Sequence, residues 1–255
     1  MEIVVHRGAN DVAPENTMAA ARACAEMRVE YVEIDVWRSI DGVHYIMHDP
    51  TLNRTTNGLG PIALRTSRYI DKLDAGSWFS TRFSEERVPR LEQFLDWARD
   101  RLNVYLDVKN GDLKKIVSMI RRRDMQDRVF FWFHSDRTAA RFRQLAPDIA
   151  LKMNSRTPEQ VREHKRLFDH QIVEHGPNDE SAAVIAACRE LGIRTMANIT
   201  ERDGFSPDER EHVYRRVFEL GYDMVNLDRP SPFIEYEKKH GIDRNTQFEK
   251  DRTNE

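Results

Sequence analysis

His6-Arg7-Gly8 sets an imidazole beside a guanidinium where the apolar run Ile3-Val4-Val5 ends, and Pro14-Glu15-Asn16-Thr17 follows within seven residues. A proton carrier next to a fixed planar cation is what binding and cleaving a phosphate ester requires. Glu33-Ile34-Asp35 lies inside the run Tyr31 to Val36. Strand side chains alternate, so both carboxylates face the same way, about 7 Å apart along the strand and near enough to share one cation. Two readings are open: a bound metal, or a polar strand face neutralised by Arg or Lys. Val104-Tyr105-Leu106-Asp107-Val108-Lys109 repeats the device, with Tyr105, Asp107 and Lys109 on one face. Asp107 would complete an all-oxygen set for Mg²⁺ or Ca²⁺, or would form a simple neutralising pair with Lys109. His48-Asp49-Pro50 closes the hairpin piece Val43 to Met47 and supplies a second imidazole from an adjoining element. Two histidines with different neighbours can divide acid and base roles. Three carboxylates, a divalent cation, Arg7, Lys109 and one phosphodiester together carry no net charge, as a partly buried site prefers.

These side chains need a scaffold that brings strand ends together. Short apolar runs supply eight candidate strands: Ile3 to Val5, Tyr31 to Val36, Val104 to Val108, Val129 to Phe133, Ile149 to Met153, Gln171 to Glu174, Ile193 to Asn198 and Met224 to Leu227. Between them lie helical stretches at Thr17 to Met27, Leu91 to Arg101, Asp112 to Arg123, Arg137 to Leu145, Thr157 to Leu167, Ser181 to Leu191 and Asp208 to Leu220, with a last one after Pro232. Repeated strand-helix alternation over 255 residues, 40% of them hydrophobic, predicts one α/β domain, a (β/α)8 TIM barrel. An open doubly wound sheet shares the pattern. The domain is expected over residues 1–240, with a small insertion after the second strand at about 50–88 that would cover the catalytic face. Residues 241–255 read as a polar C-terminal tail.

The balance of 40 basic and 43 acidic residues, net charge -3, offers no global field for nucleic acid or an anionic membrane. The two cysteines, Cys24 and Cys188, are expected to be reduced core residues. No stretch reads as a signal peptide or a membrane span, so a cytoplasmic protein without stable membrane insertion is expected. A homo-oligomer is left open, because no helix face presents a clear seam.

Taken in order, His6-Arg7-Gly8, Pro14-Glu15-Asn16-Thr17, Glu33-Ile34-Asp35-Val36, His48-Asp49-Pro50, Val88-Pro89-Arg90-Leu91-Glu92, Asp107-Val108-Lys109 and Asn226-Leu227-Asp228-Arg229-Pro230 closely resemble the glycerophosphodiester phosphodiesterase family. The resemblance implies a (β/α)8 barrel and metal-dependent hydrolysis of small glycerophosphodiesters to sn-glycerol 3-phosphate and an alcohol. It further implies His6 and His48 as the acid-base pair, Arg7 and Lys109 as phosphate contacts, and Glu33 with Asp35 as ligands of Mg²⁺ or Ca²⁺. The sequence departs from the family pattern twice. Asp107 stands where Glu is usual, and Met196-Ala197-Asn198-Ile199 replaces a Trp-containing seventh strand. Glu15 is expected to orient His6 or Arg7, while Glu174 and Trp37 are candidates for positioning substrate. The attacking oxygen is that of water, or the glycerol 2-hydroxyl by way of a cyclic phosphate. Rival readings are a phospholipase D-like lipid headgroup phosphodiesterase and a barrel that binds a phosphodiester without cleaving it.

Overall fold

The computed structural model describes residues 1–178, 180–200 and 206–242. The strands among the described residues are β1 (Glu2–Val5), β2 (Tyr31–Arg38), β3 (His44–Ile46), β4 (Asn103–Val108), β5 (Val129–Trp132), β6 (Ala150–Asn154), β7 (Ile172–His175), β8 (Arg194–Asn198) and β9 (Met224–Leu227). All but β3 run parallel, and β1 pairs with both β9 and β2, which closes the sheet into an eight-stranded barrel. The helices are α1 (Met18–Glu26), α2 (Ser67–Ile70), α3 (Leu91–Ala98), α4 (Leu113–Arg121), α5 (Asp136–Leu145), α6 (Pro158–Phe168), α7 (Ser181–Glu190), α8 (Pro207–Leu220) and α9 (Pro230–Lys239). The predicted strands match these within two residues at most ends. β7 runs one residue further than its apolar run, because His175 continues the pairing with Ala197.

Alternation along each strand divides the core into two layers. On β4, Val104, Leu106 and Val108 pack outward against the helices, whereas Tyr105 joins Val4, Tyr31, Phe130, Ile172, Met196 and Met224 inside the barrel. The rings of Tyr105 and Phe130 stack with centroids 4.5 Å apart. Burying an aliphatic side chain of the outer layer stabilises the fold by about 1.5–3 kcal/mol.

Helix entry is set by short polar residues. The Thr17 hydroxyl accepts from Ala20 N at 3.3 Å and caps α1, while donating to Pro14 O at 2.7 Å. This fixes the segment from residue 14 to 17 against the end of β1. Gly8 has φ of 78°, and a Cβ there would stand 2.7 Å from the Ala20 side chain, so only glycine lets the loop lie on α1.

Between β2 and α3 the chain builds a small unit of its own. β3 folds back antiparallel on β2, pairing Ile46 with Val36, and Tyr45, Met47, Leu52, Ile62, Ile70 and Leu73 form a separate core. Tyr45 donates to Asp71 Oδ1 at 2.7 Å, and Arg90 donates to the same carboxylate, which ties the unit to the start of α3. Cys24 and Cys188 are buried free thiols. No helix among the described residues is long and apolar enough to cross a membrane. The tail predicted from residue 241 lies, from residue 243 on, outside the described residues.

Candidate functional site

The carboxylates of β2 and β4 meet because their strands are in direct register, with Glu33 opposite Tyr105 and Asp35 opposite Asp107. Glu33, Asp35 and Asp107 are all buried, and each has an oxygen within 4.8 Å of the others. Lys109 Nζ pairs with Asp107 and lies 3.1 Å from Asp35 Oδ1. Arg7 Nε lies 3.6 Å from Asp35 Oδ2. Asp107 Oδ1 is buried without a hydrogen bond, and Asp35 Oδ1 has only its ion pair with the Lys109 ammonium. Carboxylate oxygens so sparsely satisfied in a buried cluster fit a hard divalent cation, so the residues present suit the group their chemistry implies.

The backbone at the end of β1 serves the same cluster. Arg7 adopts a left-handed conformation, φ 59°, at a cost of roughly 1–2 kcal/mol. In return its N–H donates to Glu33 Oε2 at 2.8 Å. Asn16, also left-handed at φ 56°, donates through Nδ2 to Asp35 Oδ2 at 2.8 Å and receives the Asp35 N–H at 3.3 Å. Strain of this kind at a polar cluster is a mark of function.

The two histidines are each backed by a carboxylate at Nδ1. His6 meets Asp228 at 2.7 Å, and Asn10 braces that aspartate at 3.3 Å. His48 meets Asp49 at 2.8 Å, and its carbonyl accepts from Trp37 Nε1 at 2.9 Å. His48 makes no hydrogen bond to the carboxylate cluster and is joined to it through a chain of charge. Arg54 donates to both Asp49 (2.8 Å) and Glu15 (2.7 Å), and Glu15 accepts from Arg7 at 3.3 Å. Glu15 thus touches Arg7 and not His6.

Glu174 stands apart from the three carboxylates. It pairs with Lys152, which is 1% exposed, and accepts from Asn226 Nδ2 at 2.8 Å. The Lys152 ammonium also lies over the rings of Trp132 (4.8 Å) and Tyr105 (5.3 Å).

Electrostatics follow from burial and charge count. Burial and then the neighbouring Asp35 push the Glu33 carboxyl above the ordinary carboxylate range. Burial raises Asp107 as well, against the pull of Lys109. For Lys109, burial disfavours the ammonium, but Asp35 and Asp107 outweigh it and the pKa rises. His6 is likewise disfavoured as a cation by burial, yet the bond to Asp228 and the Glu33 charge lift it above its usual value. Asp49 is held down at about 2, chiefly by Arg54.

Lys152, Asn16, Asp228, Asn226 and Arg54 carry contacts that the sequence reading did not assign. Lys152 had the same visible signal as Glu33, a charge inside an apolar run, here Ile149 to Met153.

The fold and the cluster define a class: a closed (β/α)8 barrel whose mouth holds converging carboxylates, two cations and two carboxylate-backed histidines. The model of the Glycerophosphoryl diester phosphodiesterase family matches residues 6–190, and the chain belongs to that family. The crystal structure of a glycerophosphodiester phosphodiesterase from Agrobacterium tumefaciens superposes with a TM-score of 0.83 at 35% identity, covering 92% of this chain and 99% of that one. The glycerophosphodiester phosphodiesterase of Caldanaerobacter subterraneus is 30% identical over 255 residues, 94% of this chain and 98% of the relative. That of Bacillus subtilis is 38% identical over 117 residues, which span 43% of this chain and only 40% of the relative.

Proposed function

We propose that the protein hydrolyses glycerophosphodiesters to sn-glycerol 3-phosphate and an alcohol. The observation that carries this reading is the convergence of Glu33, Asp35 and Asp107 within 4.8 Å, flanked by Arg7 and Lys109. Glu33, Asp35 and Asp107 would hold Mg²⁺ or Ca²⁺, and that cation would supply Lewis acidity toward the phosphoryl oxygens. Arg7 and Lys109 bind the non-bridging oxygens and neutralise charge that grows as the nucleophile attacks. Asp228 on Nδ1 of His6 and Asp49 on Nδ1 of His48 orient both rings and leave each Nε2 for proton transfer. One ring takes the proton of the attacking oxygen, that of water or of the glycerol 2-hydroxyl, while the other protonates the departing alcohol; in the second route water then opens the cyclic phosphate to glycerol 3-phosphate. Glu15 positions Arg7, and Glu174 with Lys152 shapes the opposite wall for the glycerol moiety.

The test is turnover of glycerophosphocholine and glycerophosphoethanolamine with Mg²⁺, Ca²⁺ or EDTA. Metal-dependent release of glycerol 3-phosphate is expected, with turnover abolished in His6→Ala and His48→Ala that keep native circular dichroism. A fully active double variant would discard the acid-base roles. Inactivity on every glycerophosphodiester with binding retained would instead favour a binding barrel.

A further inference from the structure

A cleft of about 810 Å³ runs outward from the barrel mouth between the loops that follow β4 and β5 and along α5. Its size is that of a small-molecule site. Two residues belong both to this cleft and to the surroundings of the cluster. Lys109 lines it while lying 3.1 Å from Asp35, and Trp37 lines it while donating to the carbonyl of His48 at 2.9 Å. A phosphodiester held by Lys109 would lie where this cleft meets the cluster, with room in the cleft for one ester arm. On the reading proposed above, we infer that the cleft receives the departing alcohol and selects polyhydroxyl alcohols, glycerol or inositol, over choline.

Charge and chemistry of the lining set the preference. Lys114 and Arg141 line the cleft, and among the described residues neither has an ion pair or hydrogen-bond partner. Asp112 is the single acid of the lining, and its carboxylate caps α4 by accepting from Lys115 N at 3.2 Å. A quaternary ammonium calls for an aromatic cage or free carboxylates. Here Phe133 is buried, with its ring 5.2 Å from that of Phe142, which leaves the Trp37 ring and the exposed His134 imidazole beside two unpaired cations, and no cage of aromatic rings or free carboxylates. Asn110, Ser135 and Gln144 supply donors and acceptors, which is the chemistry that recognises hydroxyl groups.

The experiment measures kcat/KM of the whole chain with Mg²⁺ on glycerophosphoinositol, glycerophosphoglycerol and glycerophosphocholine. The polyol diesters are expected to be favoured over the choline diester by about tenfold, within the range that one pocket contact discriminates. Replacing Lys114→Glu together with Arg141→Glu should bring the two classes to within about twofold, since like-charge repulsion of choline becomes attraction. Thr138→Trp, which fills the cleft without changing its charge, should lower kcat/KM for the inositol diester more than for the choline diester. A wild-type preference for choline, or a ratio unmoved by both variants, overturns the inference and leaves the hydrolytic reading standing. No turnover of any of the three diesters removes that reading, and the inference with it.

Discussion

The carboxylates of β2 and β4 and the Lys152–Glu174–Asn226 group of β6, β7 and β9 share one barrel interior, yet their charges are balanced differently. The first has three buried carboxylates against Arg7 and Lys109, with Asp107 Oδ1 left without a hydrogen bond and Asp35 Oδ1 holding only its ion pair with Lys109. The second pairs one buried ammonium with one buried carboxylate and adds an amide donor and two aromatic faces. A buried cluster short of positive charge suits a cation, whereas the second is balanced in charge, although the amide oxygen of Asn226 is also buried without a hydrogen bond. On the proposed function, the difference separates the part of the barrel that would do chemistry from the part that would shape it.

That contrast can be broken by substitution. Asp35→Asn should lower kcat/KM by about 10³-fold or more, because a preorganised electrostatic group is lost at the reacting centre. Its thermal unfolding should stay near or above wild type, since one of several repelling charges is gone. Lys152→Met should act in the opposite sense, costing about 3–5 kcal/mol in urea unfolding by stranding Glu174 in the interior. Adding Glu174→Leu should recover most of that loss, and failure to recover it would mean that Asn226 or the rings, rather than charge balance, hold the site together.

A smaller effect is expected at Asp228. Asp228→Asn should reduce kcat/KM about 10–100-fold, as for other partners that orient a reacting ring. Because Asp228 helps raise His6, the limb of the pH–rate profile that belongs to His6 should move to lower pH. The smallest effect concerns His44, outside both clusters, whose Nε2 accepts from Asp112 N at 3.0 Å. Burial lowers its pKa to about 4. Above about pH 6.5 the ring is neutral in both folded and unfolded chains and costs nothing; as pH falls toward 4 the unfolded chain takes up the proton first, and stability drops. His44→Gln should flatten that part of the urea-midpoint profile.

Much of the scaffold was legible because its signals are local. Eight apolar runs with intervening amphipathic stretches marked the barrel, and Glu33, Asp35 and Asp107 stood out as charges where strands should be apolar. The separate core beneath Tyr45 falls where a small insertion was expected after the second strand. What escaped notice depends on distance along the chain or on backbone conformation. Lys152 finds Glu174 22 residues later, and Arg54 reaches back 39 residues to Glu15. No residue type announces that Arg7 turns left-handed to offer its N–H to Glu33, because arginine seldom adopts that conformation.

The seam between β1 and β9 also orders events in time. His6 waits for Asp228, 222 residues downstream, and β1 pairs with β9 only once that strand exists. At a synthesis rate of about 5–20 residues per second, Asp228 is made roughly 10–45 s after His6. Asp107 is made a little under halfway through that interval, so all three carboxylates of the cluster exist before the first histidine has an aspartate to orient it. On the proposed reading, the acid-base role of His6 therefore arrives with the strand that shuts the barrel.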